Sequence, residues 1–355
     1  METKLDNPTL LKAVDPSGML GLVMDFSKQC REAVDITGKF EISTDYSKVN
    51  KIMITGMGGS AIGGDLLRVY ARDQVNIPIF VNRDYDMPGF VDEKTLLFCA
   101  SCSGNTEETL SVYQKALDAK AKIIGITSGG KLKKLCDKSS IPCVIIPGGF
   151  PPRSSLGYMF FPMVVLLDKL GILAPQKEAI EETVSLLKQL SQEMSADIET
   201  DKNHAKQLAL WLYKKMPVIY SSSEKTGIVG LRWRNQFNEN SKVFATSNVF
   251  PELNHNEIVG LEALGDFTRN FNVMILEDKD DNARITKRID VSTGLMKDKV
   301  GAIERIRSRG NSLLGRLFSL ISLGDFVSTY LAVLYDIDPT PVTVIDYLKK
   351  ELAKE

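Results

Sequence analysis

The sequence predicts an α/β chain of two doubly wound parallel-sheet domains, with a helical linker and a C-terminal helix. Short apolar runs recur from Lys51 onward, stretches of helical length separate them, and a second such series follows from about residue 215. Near-continuous apolar strands alternating with helices indicate sheets covered on both faces, because a strand with one wet face would alternate polar and apolar residues instead.

Residues 1–44 read as an N-terminal helical segment. From 45 to 153, the runs KIMITGM, IPIFVN, TLLFCAS, AKIIGITS and CVIIPGG supply the five strands of a first domain. Residues 154–214 read as the linker: SSLGYMFFPMVVLLDKLG opens on serines, and EAIEETVSLLKQLSQEM places apolar residues at helical spacing. Residues 215–337 give the second domain, with MPVIYSSS, KVFATSN, NVMILE and IERIRS as strands and NSLLGRLFSLISLGDFVSTYLAVLYD as a long helix. The tail, 338–355, has two prolines and then a short helix. Its Val344, Ile345, Leu348 and Leu352 share one face and predict docking on the body of the protein.

The 355 residues carry 44 Lys and Arg against 45 Asp and Glu, a formal charge of -1. Such a balance gives no whole-molecule field for gathering nucleic acid or coating a membrane, so any phosphate chemistry must be local. The longest apolar stretches, such as Tyr158 to Leu167, read as shorter than the roughly 20 residues of a membrane span. Five cysteines, odd in number and set in or beside apolar runs, predict a reducing cytoplasm. The first residues, acidic and without an apolar core, do not read as a signal peptide.

The first strand runs into Gly56-Met57-Gly58-Gly59-Ser60. Glycines between a strand and a helix let the backbone approach a ligand, and the helix start offers N–H groups to a phosphate. Two readings stand for this stretch: a dinucleotide fingerprint with Asp84 as the ribose ligand, or a plain tight turn. The third strand ends in Ser101-Cys102-Ser103-Gly104-Asn105-Thr106, three hydroxyls and a glycine around a helix start. Hydroxyls and amides together can hold a phosphoryl group without a metal, and the same Ser103 or Thr106 would cap the helix. Two such loops on one parallel sheet suit a phosphomonoester better than a dinucleotide.

With GMGGSAIGGD (from Gly56) and SCSGNTEETL (from Ser101) in view, the chain resembles the bifunctional phosphoglucose/phosphomannose isomerases of archaea and bacteria. These are built from tandem flavodoxin-like sugar isomerase (SIS) domains. The likeness continues through PPRSSLGY (from Pro151), NQFNENSK (from Asn235), ELNHNEIVG (from Glu252) and DPTPVTVIDYLKKEL (from Asp338), so it covers almost the whole chain. It implies a soluble aldose–ketose isomerase that interconverts glucose 6-phosphate and mannose 6-phosphate with fructose 6-phosphate through a cis-enediol. It further implies Gly58, Gly59, Ser60, Ser101, Ser103 and Thr106 around the phosphate, Glu239 as the base and Arg153 facing the enediolate. His255 would open the sugar ring, reaching the site from the partner subunit of a homodimer, with Lys349 assisting. Lys350 lies beside Lys349, and the register between them stays open.

The residue types suit those roles. A carboxylate is a fitting base near carbon, a neutral imidazole can relay a proton, and a guanidinium is a fixed planar charge. Taken singly, each residue also fits a surface or capping position, and His204, the other histidine, sits among charges on a helical face. Cys99-x-x-Cys102 has the spacing of half a zinc or redox site, but no second pair completes it, so neither metal nor cofactor is implied. Three rivals remain: an amino-sugar phosphate isomerase, a non-catalytic sugar-phosphate sensor and a nicotinamide-dependent dehydrogenase. Sensors have no need of Glu239, His255 and Lys349 together.

Overall fold

Each strand in the computed structural model lies parallel to its neighbours, so every strand-to-strand connection is a crossover. The structure describes residues 3–352 and 354, apart from 224 and 264. The chain divides into two compact units, Phe26–Lys188 with Gly310–Gly315, and Met1–Asp25 with Gln189–Arg309 and Arg316–Glu355. The stretch read as a linker, 154–214, is thus shared between them, as is the N-terminal segment 1–44.

In the Phe26–Lys188 unit, β1 (Lys51–Thr55), β2 (Ile79–Asn82), β3 (Thr95–Ala100), β4 (Lys122–Thr127) and β5 (Cys143–Ile145) form one sheet in the order β2-β1-β3-β4-β5. The central strands are apolar between their polar ends because helices cover both faces; Ile52, Met53, Ile54, Leu96, Leu97 and Phe98 are fully buried. The order in which strands are added reverses between β1 and β3. Their carboxyl ends therefore open the crevice in which doubly wound sheets bind ligands.

In the second unit, β6 (Met216–Ser222), β7 (Thr246–Phe250), β8 (Phe271–Glu277) and β9 (Ala302–Arg307) make a four-stranded sheet, order β7-β6-β8-β9. From Arg316 onward the long helix Leu313–Leu334 belongs to this unit. That helix has the length and composition of a membrane span, which the sequence reading of apolar stretches missed, but its apolar window lies wholly inside the protein. It carries a buried carboxylate, Asp325, which accepts from Arg232 Nη2 at 2.7 Å and Gln236 Nε2 at 2.8 Å. Trp233 Nε1 donates to Leu320 O at 2.8 Å. Burial pushes the Asp325 carboxyl up, against the opposing pull of Arg232.

The tail departs from expectation. The helix Thr343–Leu352 forms, but Val344 is 81 % exposed and Leu348 57 % exposed. Its apolar stripe has helical spacing and no covering surface among the described residues, so docking on the body is not observed.

Removing Arg232 would strand the Asp325 carboxylate. Arg232→Met should destabilise the protein by about 3–5 kcal/mol, read as a lowered denaturant midpoint, because a buried charge then lacks its counter-ion. Adding Asp325→Leu should recover most of the loss. A single variant as stable as the parent would show that Asp325 is neutral there.

Candidate active site

In the first unit the residues expected around a phosphate gather at the carboxyl ends of β1 and β3. Gly58, at φ +49°, opens the helix Gly58–Ala71, with Gly59 and Ser60 in its first turn. A Cβ on Gly59 would lie 2.4 Å from the Pro152 carbonyl oxygen. The glycine therefore lets the PPRSS segment close on this turn, and that contact brings Arg153 to the same edge of the sheet. Arg153 itself is buried, on the short 3-10 turn Pro152–Ser154.

After β3, Ser101 is buried and its hydroxyl lies 2.9 Å from that of Thr106. Thr106 is the N-cap of the helix Glu107–Asp118, yet its side chain makes no capping bond. Ser103 Oγ accepts from Asn105 N at 3.3 Å within the loop. Capping by the Thr106 or Ser103 side chain, weighed on the sequence, is therefore not where these hydroxyls are engaged. Gly104 has φ +69°, and a Cβ there would fall 1.9 Å from the Gly129 carbonyl oxygen, so only glycine fits.

Two supports went unread in the sequence. The segment after β4 braces the hydroxyl loop: Leu132 N donates to Gly104 O at 2.9 Å and Lys131 N to Asn105 Oδ1 at 3.1 Å. A pair of glycines after a strand, Gly129-Gly130, was the available signal. Gln29 is the second. Its amide donates to Ser154 O at 2.7 Å and accepts from Gly157 N at 2.7 Å, clamping both sides of the segment that carries Arg153. No local pattern links a glutamine to a loop more than 120 residues away.

Glu239 lies in the second unit, in a π-helical turn, Phe237–Ser241, that ends the helix Gly227–Gln236. Such turns re-aim side chains at functional positions. The turn is fixed from behind by Asn240 Nδ2 to Ser328 Oγ, 3.0 Å, and Ser241 Oγ to Ser328 O, 2.6 Å. Lys242, at φ +53°, donates to the carbonyls of Glu239 (2.9 Å), Asp338 (3.0 Å) and Pro339 (2.9 Å). It ties the turn to the root of the C-terminal tail, a role the sequence gave no sign of. Lys349 and Lys350 are both exposed on that tail's helix.

His255 ends the turn Glu252–His255 after β7 and is exposed. Buried Leu253 anchors the turn, and Asn254 Nδ2 donates to Ser292 Oγ at 2.7 Å. Nearby Glu257 accepts from Tyr220 Oη at 2.7 Å, and burial, with Glu257 beside it, pushes the Tyr220 hydroxyl well up. Glu239 and His255 are not brought together in the unit. Ala245 N donates to Asn238 Oδ1 at 3.1 Å, which places the Glu239 turn at the amino end of β7, whereas His255 follows its carboxyl end. The five-residue strand β7 stands between them, a rise of about 15 Å.

The carboxyl edge of the second sheet has different chemistry. There Asp278 accepts from Arg316 Nε at 2.8 Å and Ser308 Oγ at 2.9 Å, and Asp281 accepts from Ser222 Oγ at 2.7 Å. Burial pushes Asp278 up, but Arg316, the Asp280 amide and Ser308 outweigh it and hold the carboxyl low. A cleft of about 200 Å³ on this unit, lined by Val218, Tyr220 and Phe271 among others, holds none of the predicted residues. Among the described residues, no cluster of His, Cys, Asp and Glu has the makings of a metal site.

Two all-parallel sheets, one with hydroxyl-lined loops at its switch point, define a tandem sugar isomerase (SIS) α/β protein. Residues 201–352 match the family described as the bacterial phospho-glucose isomerase C-terminal SIS domain. The C-terminal domain of glucosamine-fructose-6-phosphate aminotransferase from Francisella tularensis superposes with a TM-score of 0.71 at 14% identity, over 91% of this chain and 98% of that one, a likeness of fold. The chain is 47% identical over 336 residues to the bifunctional phosphoglucose/phosphomannose isomerase of Caldicellulosiruptor bescii, covering 95% of this chain and 99% of that protein. It is 38% identical over 332 residues to the protein of the same name from Thermoplasma volcanium, covering 93% and 100%. The chain belongs to the bifunctional phosphoglucose/phosphomannose isomerase family.

The hydroxyl loop generates a prediction. Ser103→Ala with Thr106→Val should raise KM for a sugar phosphate more than it lowers kcat, because binding shared by ground and transition states moves KM alone. Unchanged KM values in steady-state assays would remove the loop from the site.

Proposed function

We propose that the chain interconverts glucose 6-phosphate and mannose 6-phosphate with fructose 6-phosphate through a cis-enediol. One observation carries this reading: the two hydroxyl and glycine loops and the Arg153 segment converge at one edge of the first sheet. Likeness to the bifunctional isomerases over nearly the full chain supports it.

The phosphate is held by the Gly58–Ser60 turn and by Ser101, Ser103 and Thr106. His255 passes a proton to the ring oxygen and Lys349 hydrogen-bonds the opening sugar. Glu239 then takes the proton from C2 of the open aldose and returns it at C1. Charge on the enediolate is met by Arg153, a fixed guanidinium that needs no reorganisation as the charge develops. Glucose and mannose 6-phosphates differ only at C2, which is planar in the enediol. One base can therefore serve both if it reaches either C2 configuration.

We read the active form as a homodimer in which His255 serves the site of the partner subunit. Within one unit β7 separates the Glu239 turn from His255, which supports a histidine supplied by a second copy. The uncovered stripe on the helix Thr343–Leu352 fits the same reading, since exposed apolar faces commonly mark association surfaces.

A coupled assay on glucose, mannose and glucosamine 6-phosphates tests the function; preference for glucosamine 6-phosphate would favour the amino-sugar alternative, and binding without turnover a sensor. Glu239→Gln should lower both isomerase activities by roughly 10²-fold or more, with folding unaffected. Mixing Glu239→Gln subunits with His255→Ala subunits should restore activity, because one shared site then has both groups intact. No recovery after verified subunit exchange would place the site within one chain. Lys349→Ala should slow turnover of cyclic substrate and Lys350→Ala should be nearly silent; the reverse pattern would shift the register by one.

A further inference from the structure

Cys99 on β3, Gly125 on β4 and Cys143 on β5 are register partners across three adjacent strands. Partners in a parallel ladder present their side chains to the same face, here the face covered by the helix Gly130–Lys138, which carries Cys136. A Cβ on Gly125 would lie 2.8 Å from the Cys136 sulfur and 2.9 Å from the Cys143 sulfur. The missing side chain is what lets both sulfurs occupy one spot. Each thiol stands beside the other, and this interaction lowers Cys136 while it raises Cys143. Cys136 is fully buried, whereas Cys143, on the last strand of the sheet, is partly exposed.

We propose that Cys136 and Cys143 form a redox-active dithiol that closes to an intrachain disulfide when a hydroperoxide reaches Cys143. The Cys143 sulfur attacks a peroxide oxygen and its proton passes to the departing oxygen; the O–O bond breaks, water leaves, and Cys143 becomes a sulfenic acid. The Cys136 sulfur then attacks the Cys143 sulfur and gives its own proton to the departing hydroxide, so the S–O bond breaks and a second water leaves. Two thiols are oxidised by two electrons and one peroxide is reduced to two waters.

The closure acts on the hydroxyl loop, a consequence that rests on the phosphate reading of that loop. Cys136 lies about one turn beyond Leu132, whose amide donates to Gly104 O, and the same helix start receives Asn105 through the Lys131 amide. Drawing the Cys136 sulfur to covalent distance of Cys143 displaces this helix, and with it the brace behind Ser103 and Gly104.

The test treats the reduced, full-length protein with hydrogen peroxide, alkylates the remaining thiols and maps the digest by mass spectrometry. A Cys136–Cys143 linked peptide, released by dithiothreitol and absent from Cys143→Ser and Cys136→Ala, is expected. Cys143 halting at sulfinic acid, or Cys136 joined to Cys99, would overturn the dithiol. In steady-state assays, the linked form should show a KM for fructose 6-phosphate raised by about fivefold, reversed by dithiothreitol, with peroxide-treated Cys143→Ser unmoved. A linked form with an unaltered KM would overturn the coupling. Absence of turnover in the reduced protein would count against the isomerase reading alone, because the linked peptide is mapped without any activity.

Discussion

A parallel strand cannot turn back on itself; each must be followed by a crossover that returns the chain to the edge where the strand began. In this chain that constraint determines where chemistry can sit. Segments that follow strands fall at the carboxyl edge, and segments that end crossover helices fall at the amino edge. The first unit uses only the former: the Gly58–Ser60 turn follows β1 and the Ser101–Thr106 loop follows β3, with Arg153 shortly after β5. The second unit uses both, since Glu239 ends a crossover helix and His255 follows a strand. Their separation is a direct result of the topology, and no rotamer change could close a gap the length of β7.

Holding such loops in place is a matter of close approach and buried polar ties. Gly104 and Gly59 permit backbone contacts that any side chain would prevent, and Gln29 spends both ends of its amide on the Arg153 segment. Behind Glu239 the ties are to one helix, Leu313–Leu334, which receives Arg232, Gln236, Trp233, Asn240 and Ser241. A helix that is apolar enough to span a bilayer is thus a scaffold whose few polar groups, Asp325 and Ser328 among them, select the orientation of the Glu239 turn. A wholly apolar helix could pack against the same partner in several registers, but a buried carboxylate facing one guanidinium favours one.

The buried strands were legible because burial on both faces demands nearly unbroken apolar runs; among the described residues the exception is β7, Thr246–Phe250, which overlaps only the end of the run KVFATSN and continues two residues past it. The hydroxyl loop was legible because Ser, Gly and Thr crowd a strand-to-helix junction. What escaped was either distant or dependent on context. Gln29 has no local signature, and its role exists only once the fold brings Ser154 and Gly157 to it. Lys242 reads as a surface lysine, yet it gathers carbonyls from the Glu239 turn and from Asp338–Pro339. The stripe on the last helix was read correctly as amphipathic and wrongly as docked, because periodicity reports that a face is apolar and says nothing of what covers it. The units escaped too, since residues on either side of position 25 and of position 188 differ in their partners but not in composition.

The two sheets share a plan, yet their carboxyl edges are chemically opposed, and this opposition favours the first edge for the phosphate proposed above. At the first edge the polar side chains beside the loop are hydroxyls, which can turn their protons toward an anion, and its structured glycines leave the backbone approachable. At the second edge the equivalent junctions carry carboxylates: Asp278, Asp280 and Asp281 follow β8, and Ser222 at the end of β6 already donates to Asp281. Arg316 at that edge donates to both Asp278 and Asp280. An incoming phosphate dianion would meet like charge there and would have to compete with carboxylates that already hold Arg316 and Arg305. A repeated architecture therefore carries one edge whose chemistry suits the phosphate proposed above, while the other edge uses its polar groups to close itself; the turns of Glu239 and His255 lie outside that second crevice.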